Sequence, residues 1–172
     1  MQATPFLKWV GGKQAMFAAL KSRFPTDFEV FYDPFVGGGS VALGLAHPRT
    51  VVGDSNQELM RTYVGVRDDW RAVARQLDEM LNTKEAYLQV RALDPTRLVL
   101  HACAARFIYL NKTGFRGLYR VNRYGQLNVP YGAYDRAYYD PTILQAAAVT
   151  MGSWQLHACS YEGLLRAATA IS

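Results

Sequence analysis

The feature that most constrains this chain is a triple glycine between two short strand-like runs, Asp33-Pro-Phe-Val-Gly-Gly-Gly-Ser40. Upstream, Glu29 to Asp33 reads as a short buried strand. Downstream, Ser40 to Ala46 reads as a helix opening on a Ser cap, and Thr50 to Asp54 as a second strand. Strand, helix and strand in so few residues imply a right-handed crossover in a parallel sheet, half of a Rossmann-like unit. Glycines at such a turn let the backbone approach a ligand closely, and the helix start beyond them presents free amides. An acid at the end of the next strand, Asp54, can accept hydrogen bonds from ribose hydroxyls. The loop therefore points to a nucleoside-type cofactor, or else to a turn that only packs helix on strand. Gly37-Gly38-Gly39-Ser40-Val41-Ala42 also fits the dinucleotide pattern G-x-G-x-x-A, so an NAD-type ligand stays open here. A phosphate-cradling P-loop is excluded, because Gly12-Lys13 lacks the upstream glycine and the following Ser or Thr.

Elsewhere, Trp70, Val73, Ala74, Leu77, Met80 and Leu81 recur at helical spacing from Asp68 onward, and Arg97 to Leu110 predicts a second long helix. Asn111 to Tyr134 loses that period and fills with Gly, Asn, Tyr and Arg, the composition of an ordered loop or hairpin. Pro141 to Ala148 reads as a short helix and Trp154 to Cys159 as a third strand. A chain of 172 residues, half of them hydrophobic, can bury the core of one domain carrying an inserted subdomain. No apolar run reaches the roughly 20 residues that span a bilayer, and the N-terminus lacks a signal-peptide layout. No membrane partner and a cytoplasmic location are expected. Cys103 and Cys159, like His47, His101 and His157, are scattered, which fits reduced thiols and no metal site.

The net charge of +5 is concentrated in one stretch. Between Arg106 and Arg136 stand six basic residues, Arg106, Lys112, Arg116, Arg120, Arg123 and Arg136, against the single acid Asp135, leaving 13 basic and 13 acidic residues elsewhere. A localised basic stretch is the footprint of a nucleic-acid surface.

Three ordered motifs carry a family resemblance: Pro5-Phe-Leu-Lys-Trp-Val-Gly-Gly-Lys13, the glycine loop, and Asn111-Lys-Thr-Gly-Phe-Arg-Gly-Leu-Tyr-Arg-Val-Asn122. Together, over about Pro5 to Glu162, the chain resembles the Dam-type adenine-specific DNA methyltransferases. The resemblance implies an α/β fold, a partial Rossmann-like class I methyltransferase sheet with a helical target-recognition insertion. Residues 1–56 and 137–172 would form a partial S-adenosylmethionine-binding catalytic domain, and 57–136 the DNA-binding subdomain. It further implies that Trp9 and Lys13 contact the cofactor, that Asp33, Phe35, Gly37, Gly39 and Ser40 wrap its methionine end, and that Asp54 holds its ribose. On the DNA side it implies Asn111, Lys112, Phe115, Arg116, Tyr119, Arg120 and Asn122, with Pro130 from the closing strand Gln126 to Gly132. Arg120 would read guanine, and Phe115 would wedge beside the flipped adenine.

Two departures from the family stand out. Arg116 replaces a usual Asn, and Ala133 and Asp135 replace frequent basic residues. The family's catalytic Asp-Pro-Pro-Tyr is also absent: Asp33-Pro34, Asp94-Pro95 and Asp140-Pro141 all lack the second proline and the tyrosine. No catalytic residue is therefore assigned. The expectation is a truncated or split site-specific DNA adenine methyltransferase, inactive alone, whose partners are duplex DNA and a complementary C-terminal fragment. The first strand's outer edge, with Val30 and Phe31, would then lack a neighbour. Other readings are a non-catalytic DNA-binding pseudoenzyme and, more remotely, a fragment of an NAD-dependent oxidoreductase.

Overall fold

The computed structural model describes residues 3–135 and 138–169. Among them, three strands form one parallel sheet in the order β1 (Phe31–Asp33), β2 (Thr50–Asp54), β3 (Gln155–Ala158). The pairs Asp33↔Val52 and Asp54↔Ala158 align the carboxyl ends of the strands. Central β2 is buried over Thr50–Gly53, whereas β1 is half-buried and, among the described residues, pairs only with β2. Phe31 rests against Phe24 and Phe28.

The first crossover keeps the expected order, a helix between two parallel strands, but Ser40 is the first helical residue rather than its cap, and Gly39 before it offers no side-chain cap. Helix α1 (Phe17–Lys21) packs on α2 (Ser40–Leu45), and the Phe17 ring fills the space a side chain at Gly44 would need. The second crossover, from β2 to β3, contains most of the chain: α3 (Gln57–Asp78), α4 (Lys84–Ala92), α5 (Leu100–Thr113) and α6 (Pro141–Met151). Helix α7 (Tyr161–Thr169) follows β3.

Helix α3 starts at Gln57, well before the expected Asp68. Asn56 caps it by accepting from Leu59 N at 3.0 Å. The apparent start near Asp68 has a physical origin: Asp69 leaves helical geometry (φ −151°, ψ 70°) and caps the continuation by accepting from Ala72 N at 3.0 Å. Val73, Ala74 and Leu77 are buried as their spacing predicts, but Leu81 lies beyond the helix and is exposed. The expected helix at Arg97–Leu110 begins at Leu100, because Pro95–Arg97 forms a separate 3-10 turn. It extends to Thr113, so Asn111 and Lys112 are helical rather than part of the loop. Helix α4, capped by Thr83, is an element the periodicity did not single out.

One core joins these parts. Helix α3 packs on α5 along one side and on α6 and β3 along another. A Cβ at Gly65 would lie 2.8 Å from Ala104 Cβ, so this glycine sets how closely α3 and α5 cross. Helix α3 thus links the sheet to the segment that carries the hairpin described next.

Candidate functional site: the strand-end glycine loop and the basic hairpin

Asp33 and Asp54 end neighbouring parallel strands, and the glycine loop lies between them. Asp33 accepts from Phe35 N at 3.2 Å. Burial raises its carboxyl above the ordinary range, the Phe35 hydrogen bond partly offsets this, and the charge of Asp54 adds to the rise. Asp54 accepts from Gly37 N at 3.2 Å with one oxygen and from Asn56 N at 2.9 Å with the other. Its carboxylate therefore holds both the loop and the start of α3, while each oxygen keeps a lone pair for a further donor. From below, the buried Tyr63 hydroxyl donates to Gly37 O at 3.0 Å, and burial holds that hydroxyl protonated.

Two of these glycines are demanded by geometry. Gly37 (φ 47°) lies under Trp9, where a Cβ would sit 2.7 Å from the indole. Gly39 (φ 73°) lies over Tyr63, where a Cβ would sit 2.5 Å from the hydroxyl oxygen. Trp9 is the cover of the loop, stacked in turn on Phe107 and Tyr119 at 6.4 and 5.9 Å. The segment that carries it brings Gly12 beside Ser40, the first residue of α2, and leaves Lys13 exposed with its ammonium on Gly11 O at 2.7 Å. Phe35 is 69% exposed and stacks on Tyr161 at 5.4 Å. Trp9, Asp33, Gly37, Gly39, Ser40 and Asp54 thus come together, with Lys13 and Phe35 on the rim. Tyr63, Asn56 and Tyr161 belong to the same site but were not singled out by sequence. The first two fall where no helix was expected.

The second feature is an antiparallel hairpin. Gly114 bridges Tyr131 and Val121 bridges Leu127. Phe115 N donates to Pro130 O at 2.9 Å, and Asn128 N to Arg120 O at 2.7 Å. Asn122 builds its tip, with its side-chain oxygen accepting from Tyr124 N and Gln126 N at 2.9 and 3.1 Å. The Arg120 guanidinium donates twice to Asn128 O across the hairpin, at 3.2 and 2.9 Å. Phe115 (42% exposed), Arg116, Arg120, Arg123 and Tyr124 (70%) face outward, with the Arg123 guanidinium 4.7 Å from the Tyr124 ring.

Several predicted residues make contacts within the fold. Asn111 is buried, and its amide accepts from Lys8 N (2.8 Å) and donates to Lys8 O (2.8 Å) and Gly117 O (3.3 Å). It ties the N-terminal segment to the hairpin base. Tyr119 is half-buried between Trp9 and Phe107. Arg106 corrects the charge count, because it is buried and paired with Glu58, so it is no part of a surface footprint. Arg136 lies outside the described residues. The outward basic residues are then Arg116, Arg120 and Arg123, next to Lys112 at the end of α5. Lys8, which the sequence reading passed over, joins them with its ammonium 3.5 Å from Lys112 O and 4.8 Å from the Tyr134 ring.

A glycine loop between two acids at the carboxyl ends of parallel strands is the crevice in which α/β folds hold nucleoside-type ligands. The profile of the D12 class N6 adenine-specific DNA methyltransferases matches residues 9–171, and the chain belongs to that family. It is 37% identical over 140 residues to the Type II methyltransferase M1.LlaDCHI of Lactococcus lactis subsp. cremoris, covering 76% of this chain and 48% of that protein. It is 36% identical over 157 residues to the Type II methyltransferase M.MjaIII of Methanocaldococcus jannaschii (78% and 54%). It is 37% identical over 143 residues to the DNA adenine methylase of Escherichia coli (78% and 49%). The chain spans about half the length of the curated relatives it matches. Among the described residues, no group of three or more His, Cys, Asp or Glu could hold a metal ion, and no helix is long and apolar enough to cross a membrane.

Proposed function

We propose that this chain is the cofactor-binding and DNA-reading part of a site-specific adenine methyltransferase, which moves the methyl group of S-adenosylmethionine to the exocyclic amine of adenine in duplex DNA. The observation that carries the reading is the pairing, on one shared core, of the glycine loop with its two strand-end carboxylates and an outward-facing basic hairpin. In this reading Asp54 accepts from the ribose hydroxyls, Asp33 and the loop amides hold the amino-acid end, and Trp9 and Lys13 close over it. The sheet is the Rossmann-like half of a class I methyltransferase, and residues 57–136 are its recognition insertion. Arg116, Arg120, Arg123 and Lys112 engage the duplex, while Phe115 fills the space of an extruded base, since chemistry on a base requires it to leave the stack. No Asp-Pro-Pro-Tyr occurs in these 172 residues, and the reading includes a complementary segment that supplies it and a cytoplasmic location.

Calorimetry with S-adenosylhomocysteine tests the cofactor half. Asp54→Ala would also orphan the amides of Gly37 and Asn56, so Asp54→Asn, which keeps an acceptor, is the sharper variant. It should weaken binding by about 1–3 kcal/mol, the range for a hydrogen bond to a charged group. Equal affinity for both proteins removes the ribose assignment. Duplex binding that does not weaken with salt removes the DNA half.

A further inference from the structure

Two non-glycine residues at the base of the hairpin hold left-handed backbone, Arg116 (φ 56°) and Ala133 (φ 54°). Such residues are disfavoured sterically and persist where their surroundings over-determine them. Tyr134 connects the two. Its hydroxyl accepts from Arg116 N at 2.7 Å across the hairpin, and its ring lies against Gly132, where a Cβ would sit 2.4 Å from it. The backbone of Tyr134 is held from the core side by Asn82, which is half-buried at the corner between α3 and α4. Asn82 Nδ2 donates to Tyr134 O at 2.8 Å, and the Tyr131 hydroxyl lies 2.8 Å from Asn82 O and 3.0 Å from Asn82 Oδ1. One side-chain amide thus grips the chain on both sides of Gly132 and Ala133, and the opposite polarity of its two partners fixes which way it points. The corner is fixed in turn, because Leu81 O accepts from the Tyr109 hydroxyl of α5 at 2.7 Å and Met80 O from the Tyr138 hydroxyl at 3.0 Å. A continuous path therefore runs from α5 through the corner and Asn82 to Tyr134 and Arg116 N.

We infer that Asn82 is a positioning residue that sets where Phe115 and Arg116 stand, acting through Tyr134. The inference rests on the proposed DNA-reading role of the hairpin and assigns part of the sequence choice to a residue outside the basic surface. Asn82 is uncharged and its amide is engaged on both sides, so it adds nothing to the attraction for phosphates. What it controls is position. Affinity drawn from phosphates follows charge, whereas a base edge is read only when the groups facing it stand within hydrogen-bond geometry. Loosening Asn82 releases Tyr134 O and, with it, the hydroxyl that holds Arg116 N. Phe115 and Arg116 then shift together, since the guanidinium lies 5.2 Å from the Phe115 ring.

Hydrogen exchange on the whole chain reads the path without DNA. Asn82→Ala should speed exchange of the Arg116 amide by about threefold to tenfold, the size of one hydrogen bond, while the Asn122 and Gly125 amides at the tip keep their rates. Tyr134→Phe, which removes the acceptor of that amide, should behave alike, so that misfolding of one variant does not decide the outcome. Base preference is read by selection from a pool of duplexes randomised in sequence. Both variants should keep the wild-type affinity for bulk DNA and its salt slope, but enrichment of the preferred base at one or more positions should fall by about threefold to tenfold. Tyr87→Phe is the control for stability alone: it removes a bond of similar length to the same arm, at Val129 O (2.9 Å), where Arg91 also donates (2.9 Å), and it should leave base preference intact. An Arg116 amide unmoved in Asn82→Ala, a base preference that survives in either folded variant, an equal loss in Tyr87→Phe, or a wild type that binds all sequences alike each overturns the inference. A wild type with no salt-dependent duplex binding is a different result, which overturns the DNA reading and this inference with it.

Discussion

Replacing Arg106 with methionine tests whether charge or packing holds α3, α4 and α5 together. The guanidinium donates to Val90 O at 3.2 Å and Arg91 O at 3.0 Å, in the last turn of α4, and pairs closely with Glu58 of α3. Side-chain exposures are 4% for Arg106 and 14% for Glu58. Losing the arginine orphans Arg91 O at about 1 kcal/mol, leaves Val90 O with only its bond from Leu93 N, and removes a charge-assisted bond of about 1.5–3 kcal/mol. The sum agrees with the roughly 3–5 kcal/mol typical of breaking a buried pair. The pH dependence is the sharper signature. Burial already raises the Glu58 carboxyl above its ordinary value, with Arg106 and then Arg61 opposing, so Arg106→Met should raise it further. A carboxyl with a raised folded-state pKa holds its proton longer in the folded state than in the unfolded one. Its contribution to stability is full below the unfolded value and is lost as pH rises through the folded one. The cost of Arg106→Met, from urea unfolding, should therefore be larger at pH 8 than at pH 5, by about 1.4 kcal/mol for each further unit of rise. Adding Glu58→Gln should flatten the profile. A cost independent of pH, or a slope surviving in the double variant, would refute this account of the pair.

Three further substitutions follow from backbone geometry. Arg116 sits in the left-handed region (φ 56°, ψ 15°), so Arg116→Asn should stabilise by about 0.5–1 kcal/mol and raise Tm by about 2 °C. A lower Tm would mean that the Arg116 stack on Phe115, at 5.2 Å, outweighs the strain. Gly39→Ala should cost about 2–4 kcal/mol, because its Cβ would meet the Tyr63 oxygen at 2.5 Å in a positive-φ backbone, and Tyr63→Phe should recover part of that in chemical denaturation. Gly65→Ala gains about 1 kcal/mol of helix propensity but places a methyl 2.8 Å from Ala104 Cβ, so a net loss is expected, and a higher denaturation midpoint would show that the helices can part without cost.

The parts of the fold legible in sequence are those whose cause is local. The β2 strand matches its prediction because a bounded apolar run has no competing period. The triple glycine was legible because positive φ at Gly37 and Gly39 and the close approach of Trp9 and Tyr63 exclude other residues there. The first half of α3 was not legible. It carries Gly65 with Thr62 and Val66, all poorly suited to a helix, and is held by burial of Leu59, Met60 and Tyr63 against partners distant in sequence.

The same limit governs the candidate site. A count of charges cannot separate Arg106, whose charge serves α3 and α4, from Arg123, whose charge faces outward, because the two differ in what the fold brings against them. A motif likewise records residues that present a surface together with residues that build it. In Asn111 to Asn122, Asn111 pins the N-terminal segment, Gly117 adopts a positive φ against Lys8, and Asn122 folds the tip, which leaves Phe115, Arg116 and Arg120 free to face outward. A short hairpin with two isolated bridges has little intrinsic stability, so an outward residue can hold a fixed position only if its neighbours are spent on scaffolding. The density of polar residues in this segment is therefore as much a requirement of positioning as of contact.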